Sequence, residues 1–321
     1  MASSTGPIVG LGNALVDVLV SVEPDVVARH DLTPGGMHLV DTDAAEALFA
    51  EVGPGLTQSG GSVANTVAHL GGLGLDAMFV GKVAEDTLGA AFAEDMGRVG
   101  ASVPTARLTG SVSTGRCVVL VTPDGERTMS TYLGAALALG AGDVHASLPD
   151  SFPMLIVEGY LFDAPEGAEV IAAGAARARA AGARIALTPS DAGCVGRHLD
   201  AMRAFIGDHV DVLIGNETEM AALSGTNGPE AALDWAAEHA EIAVVTLSEN
   251  GSMVARGAER VRVPAERVEK VVDTTGAGDA YAAGFLGAIA SGEGIEAAAQ
   301  AGGRLAAKVI QHMGARERAA A

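Results

Sequence analysis

The chain has 321 residues, 49% of them apolar, and a formal net charge of −20. That is enough for one large or two modest domains with a sizeable core. So negative a field opposes binding to a nucleic-acid polymer or an anionic membrane surface, although local amide groups or a metal can still hold a nucleotide. Two cysteines, Cys117 and Cys194, have no partner at metal-ligand spacing. The eight histidines include no His-x-x-x-His pair, so neither a disulfide framework nor a zinc site is expected. The first residues carry no basic cluster, and the apolar run after them is broken by Asn13 and Asp17. The expectation is a cytoplasmic protein without a signal peptide or membrane span.

In chain order, Ile8, Val9 and Leu11 read as a buried strand. Gly10-Leu11-Gly12 lacks the third glycine of a dinucleotide fingerprint, because position 15 is Leu. Asp17 lies in the apolar run 15–20. A lone carboxylate there belongs at a bulge, at a strand end, on the outer face of the strand, or against ligand hydroxyls. Pro34-Gly35-Gly36 is a turn before a short strand at 37–40. Residues 42–52 have helical spacing, with Thr42 as the expected cap. In Ser59-Gly60-Gly61-Ser62-Val63-Ala64-Asn65-Thr66, two glycines precede a helix carrying Val63, Val67 and Leu70. A plain helix start explains all of this except the polar Asn65 in the first turn. Gly71-Gly72-Leu73-Gly74 ends that helix. Residues 76–100 read as strand then helix. Two β-prone runs, 116–121 and 128–133, flank the hairpin signal Pro123-Asp124-Gly125-Glu126. With 15–22 and 37–40 they predict a small separate sheet.

From residue 153 strands and helices alternate: strands at 154–158, 184–187, 210–214 and 242–247, helices at 167–181, near 197–207 and after Glu217. Such alternation predicts a mostly parallel sheet covered on both faces, with ligands at the carboxyl ends of its strands. Asn216-Glu217-Thr218-Glu219 and Thr246-Leu247-Ser248-Glu249-Asn250-Gly251 both follow strands. The third polar group is Asp273-Thr274-Thr275-Gly276-Ala277-Gly278-Asp279, read as a turn after a strand ending in Val271-Val272. Tyr281, Phe285 and Ile289 then fall on one helical stripe. Gly276, Ala277 and Gly278 thus sit at a helix N-terminus, where free N–H groups and the helix dipole favour an anion. Asp279 beside it suits a base that takes a proton from an attacking hydroxyl. A plain capped helix is the competing reading. A last helix spans 295–313, and Arg316-Glu317-Arg318 with three alanines reads as a solvated tail. No repeat or low-complexity linker occurs, and no Walker A lysine.

These motifs resemble those of the ribokinase-like (PfkB) carbohydrate and nucleoside kinases over nearly the whole chain. The resemblance implies one three-layer α/β/α domain across 1–321, with a mostly parallel central sheet and a small β-sheet lid formed near 15–42 and 113–134. It implies that Gly276, Ala277 and Gly278 form the anion hole and Asp279 is the catalytic base. Asp17, in Gly12-Asn13-x-x-x-Asp17, would grip two sugar hydroxyls. Gly60 and Gly61 would act as a hinge touching substrate, and Asn65 would bind a hydroxyl. Asn216-x-x-Glu219 resembles the motif that organises magnesium and phosphates, often through water, as suits that ion. Thr246 to Gly251 resembles a nucleotide loop in which Ser248 replaces a glycine, and Thr275 would join it. Some relatives hold potassium near the positions of Asp273 and Gly314. Several runs, among them Gly12-Asn13-Ala14-Leu15-Val16-Asp17, Glu158-Gly159-Tyr160-Leu161 and Gly215-Asn216-Glu217-Thr218-Glu219, look most like adenosine kinases. Met37, Leu133 and Tyr160 would then wall a purine, although each is also ordinary core material. The implied partners are a nucleoside or sugar and ATP with Mg2+, in a monomer or a homodimer paired through a lid strand. The alternatives are a kinase of ribose, fructose or 2-keto-3-deoxygluconate, and a catalytically silent binding sensor.

Overall fold

The computed structural model describes residues 6–123 and 126–316, so the hairpin tip Asp124-Gly125 and the tail from Glu317 onward lie outside the described residues. The larger sheet contains β1 (Ile8–Leu11), β5 (Ala77–Val80), β6 (Ala101–Ser102), β9 (Met154–Glu158), β10 (Arg184–Thr188), β11 (Val212–Asn216), β12 (Ile242–Thr246), β13 (Ser252–Arg256) and β14 (Glu259–Val263). Its order is β14-β13-β12-β11-β10-β9-β1-β5-β6. The strands run parallel from β6 to β12, and β13 and β14 add antiparallel.

Strands such as β1 and β9 are buried at every residue. They read as continuous apolar runs because helices cover both faces of a parallel sheet. Alternate side chains feed two separate cores. Met154 and Ile156 join the layer with Val63, Val67 and Phe285. Leu155 and Val157 join the layer with Val170, Met202 and Leu233. The first layer is built on helices Ser62–Gly72 and Ala277–Ala290, the second on Gly167–Ala181, Ala192–His209 and Pro229–His239.

The smaller sheet holds β2 (Leu15–Ser21), β3 (Met37–Leu39), β4 (Leu56–Gly60), β7 (Gly115–Val121) and β8 (Arg127–Tyr132), in the order β3-β8-β7-β2-β4. The separate small sheet anticipated from the sequence is therefore present. Strand β4 was not anticipated, because Leu-Thr-Gln-Ser-Gly has one large apolar residue; as an edge strand it needs no apolar face on both sides.

Three local expectations are corrected. Asp41, not Thr42, caps helix Thr42–Val52, its Oδ1 accepting from the Ala44 N–H at 2.9 Å. Val271 and Val272 form no strand and are half exposed. With β14 ending the sheet, the Val272 N–H pairs instead with the Ile310 carbonyl at 2.8 Å. The last helix stops at Val309, short of residue 313.

Candidate active site

Asp279 sits in the first turn of helix Ala277–Ala290, capped by Gly276 at φ +74°. A Cβ on Gly276 would lie 2.6 Å from the Ala315 Cβ, so both conformation and space demand glycine. A Cβ on Gly278 would meet nothing within 4 Å, so that corner of the helix end is open. The Ala277 N–H is committed to the Thr274 carbonyl at 3.1 Å. Among the described residues the Gly276 and Gly278 N–H groups have no hydrogen-bond partner, so they remain available to the expected anion hole.

Asp273 shapes the turn from inside. Its Oδ1 accepts from the Thr275 N–H at 3.0 Å and the Thr275 hydroxyl at 2.8 Å; its Oδ2 accepts from the Gly314 N–H at 2.6 Å and from Arg127 of β8. Both oxygens are thus engaged by protein donors. The Arg127 guanidinium thus lies against the carboxylate near which some relatives hold potassium.

Two other motifs converge on Asp279. The Ser62 hydroxyl donates to its Oδ1 at 2.8 Å and the Asn65 amide to its Oδ2 at 3.3 Å. Burial nevertheless raises Asp279 to about 6, against the lowering effect of Ser62, Asn65 and Arg316. Burial also raises Asp17 to about 7, with Arg316 opposing and the charge of Asp279 adding. Gly60 faces Asp17 so closely that a Cβ would fall 2.4 Å from its Oδ1. Asn13 and Asn65 each bury a side-chain oxygen that has no partner among the described residues. An orphaned buried acceptor is costly, and a ligand hydroxyl would satisfy it.

Sequence reasoning missed Glu158, which ends β9 and is 1% exposed. Its carboxylate accepts from the backbone N–H groups of Asn13 (2.7 Å) and Val63 (3.0 Å), tying both substrate motifs to the central sheet. Burial raises it to about 7, and Asp279 adds to the shift. The signal was a lone carboxylate closing a fully apolar strand, quoted above only as part of a longer run. Arg316 was also misread. It is 4% exposed rather than solvated, and it donates to Ser59 and Asp95.

The nucleotide motifs lie side by side, Asn216 opposite Thr246 at the carboxyl ends of β11 and β12. Asn216 and Glu219 form a reciprocal cap: Asn216 Oδ1 accepts from the Glu219 N–H at 2.9 Å, and Glu219 Oε2 from the Asn216 N–H at 3.0 Å. Glu219 is buried and raised to about 7 by burial, with Asp191 and Asp279 contributing. Among the described residues no group of three or more side chains is placed to hold a bare metal ion. A hydrated divalent cation does fit here, because Glu219 keeps acceptor capacity and is repelled by the neighbouring carboxylates. Thr275 is engaged within the turn by Asp273.

Ser248 adopts φ +50°, the left-handed conformation that explains why a glycine is expected there. Ser248→Gly should stabilise the protein by about 0.5–1 kcal/mol, the strain relieved less the extra freedom of the unfolded chain. A urea melt with a higher midpoint and unchanged slope is the expected result. Gly251 cannot be changed, since a Cβ would fall 1.9 Å from the Val263 carbonyl oxygen.

The three expected purine-wall residues come from three different segments. Met37 is on edge strand β3 and 46% exposed. Leu133 follows β8 and precedes the 3-10 turn Gly134–Ala138. Tyr160 packs against the second core layer, and burial together with Asp191 raises its hydroxyl pKa.

A mostly parallel α/β sheet with a second small sheet, and a carboxylate at an open glycine-capped helix end, is the arrangement expected of the ribokinase-like kinases that the motifs resemble. The family description "pfkB family carbohydrate kinase" matches residues 44–320. The chain therefore belongs to the pfkB family and is a kinase of nucleosides or sugars. It is 40% identical to the crystal structure of adenosine kinase from Sinorhizobium meliloti, covering 97% of this chain and 96% of that one at a TM-score of 0.88. It is 37% identical to a probable sugar kinase protein from Rhizobium etli CFN 42, covering 98% and 95% at a TM-score of 0.89. Adenosine kinase 2 of Arabidopsis thaliana is 25% identical over 98% of this chain and 97% of its own length. No helix among the described residues is long and apolar enough to cross a membrane.

Proposed function

We propose that the protein transfers the γ-phosphoryl group of ATP to the 5′-hydroxyl of adenosine, giving AMP and ADP. Asp279 takes or orients the proton of the attacking hydroxyl. The Gly276 and Gly278 amides receive the negative charge of the phosphoryl group in flight. Asp17 accepts hydrogen bonds from two ribose hydroxyls, and Asn13 and Asn65 complete the ring contacts. Glu158 holds the Asn13 and Val63 segments in register with the sheet. Asn216, Thr246, Ser248, Gly251 and Thr275 line the nucleotide side, and Glu219 would hold magnesium through its waters. When bound, magnesium neutralises phosphate charge. The remaining work is positioning, and closure of the small sheet over the nucleoside as a lid would exclude water from the phosphate.

The observation that carries this reading is the grouping of Asp279, at an open helix end, with Asp17 and two buried amide oxygens that have no partner among the described residues. The adenosine assignment draws on the subfamily-like runs and on relatives named as adenosine kinases. The Rhizobium etli relative favours one second reading, a sugar kinase using the same machinery. ADP release with Mg-ATP is the test, across adenosine, inosine, guanosine, ribose, fructose and 2-keto-3-deoxygluconate. Turnover on adenosine at least tenfold above the rest is expected. Turnover on a free sugar alone would keep the machinery and overturn the substrate.

A further inference from the structure

The C-terminal turn runs back across the site. The Gly314 N–H bonds Asp273 at 2.6 Å, the Ala315 carbonyl meets His69 Nε2 at 3.1 Å, and Ala315 packs on Gly276. Arg316 then inserts its side chain beneath β4. One nitrogen, Nη2, donates to the Ser59 carbonyl, to the Ser59 hydroxyl at 2.6 Å and to Asp95 at 3.0 Å. Ser59 is also held by Asp95 through its N–H (2.9 Å) and hydroxyl (2.6 Å). It immediately precedes Gly60-Gly61 and pairs with Val16, next to Asp17.

A guanidinium only 4% exposed is costly to bury against a single carboxylate, and its Nε has no partner among the described residues. Its charge acts on Asp17, Asp279 and Asp95 together. We propose that Arg316 is a positioning residue for phosphoryl transfer: its hydrogen bonds to Ser59 and Asp95 fix the Gly60-Gly61 turn against Asp17 and set a buried positive charge beneath the acceptor site. This rests on the reading of Asp279 as the base. Ser62 and Asn65 also face Asp279, whose charge is felt by Asp17, Glu158 and Glu219. His69, the titratable neighbour from helix Ser62–Gly72, is held neutral by burial with a pKa of about 4.

The test compares Arg316→Gln with Arg316→Lys, both shorter but differing in charge. The readout is kcat/KM against pH for the fastest acceptor, with melting curves to establish folding. In Arg316→Gln the acid limb should move up by about one pH unit, and kcat/KM near neutrality should fall at least tenfold. Arg316→Lys should keep the wild-type limb. A merely structural residue would make the two variants behave alike, and identical limbs would overturn the proposal. So would failure of both variants to fold. Asp279→Asn serves as the separate control. If it stays active the base reading fails; if it is inactive while the Gln and Lys limbs coincide, only the role of Arg316 fails.

Discussion

Asp279→Asn should lower kcat by about 10²–10⁴-fold while leaving nucleoside binding within a few-fold of wild type. The amide keeps the shape of the carboxylate and can still accept from Ser62 at 2.8 Å. It cannot take a proton from the acceptor hydroxyl. Because burial raises Asp279 to about 6, the wild-type group is ionised at neutral pH yet basic enough to share a proton. Single-turnover kinetics beside equilibrium binding separate the two effects. Equal loss of binding and rate would mean that Asp279 only holds the substrate.

Asp17→Asn carries the second large effect, expected mainly in KM. A carboxylate accepting from two hydroxyls is replaced by a group with one acceptor, a loss of roughly 3–4 kcal/mol or 10²–10³-fold in kcat/KM. The same substitution should stabilise the ligand-free fold, with a definite pH dependence. The folded Asp17 has a pKa near 7 against an ordinary 3.8, so its protonated form is favoured in the fold. That stabilising contribution is complete below the unfolded value and is lost as pH rises through 7. Asn is neutral throughout. Its melting temperature should therefore exceed wild type by a margin that opens between about pH 4 and pH 7. A constant margin would show that Asp17 carries no buried charge penalty.

The trade between these two results has a common source. Asp17, Glu158, Glu219 and Asp279 all have pKa values raised above the usual carboxylate range, with burial as the largest cause. Such clustering is poor for stability and useful for chemistry, since the groups are poised to receive hydroxyls, waters and hydrated cations. Asp95 and Asp273, by contrast, are held below the usual range despite burial, by hydrogen bonds and ion pairs. They belong to the frame and not to the reacting surface.

Local spacing made much of the frame legible. The helix Gly167–Ala181 and the strand Met154–Glu158 match their sequence readings end to end, because each is a long periodic or continuously apolar run. The β13–β14 hairpin was not legible: Ser252–Arg256 and Glu259–Val263 lack a strong turn signal and end the sheet with charged residues. The motif glycines were legible as motifs, but their reasons were not. That Gly276 must clear Ala315, and Gly60 must clear Asp17, are contacts across more than thirty residues of chain. Arg316 failed for the same reason. In sequence it sits among charges and alanines, and only the return of the chain past Gly276 brings it to Ser59. Glu158 was hidden because a carboxylate ending a strand usually faces water, whereas here two backbone amides from other segments meet it.

The most direct measurement is the product itself. The protein is incubated with Mg-ATP and adenosine, and the nucleotides are resolved by chromatography and 31P NMR. The account predicts one AMP, phosphorylated at the 5′ position, for each ADP released, and no AMP from Asp279→Asn on the same timescale. ADP without AMP, or phosphate on a different hydroxyl, would contradict it.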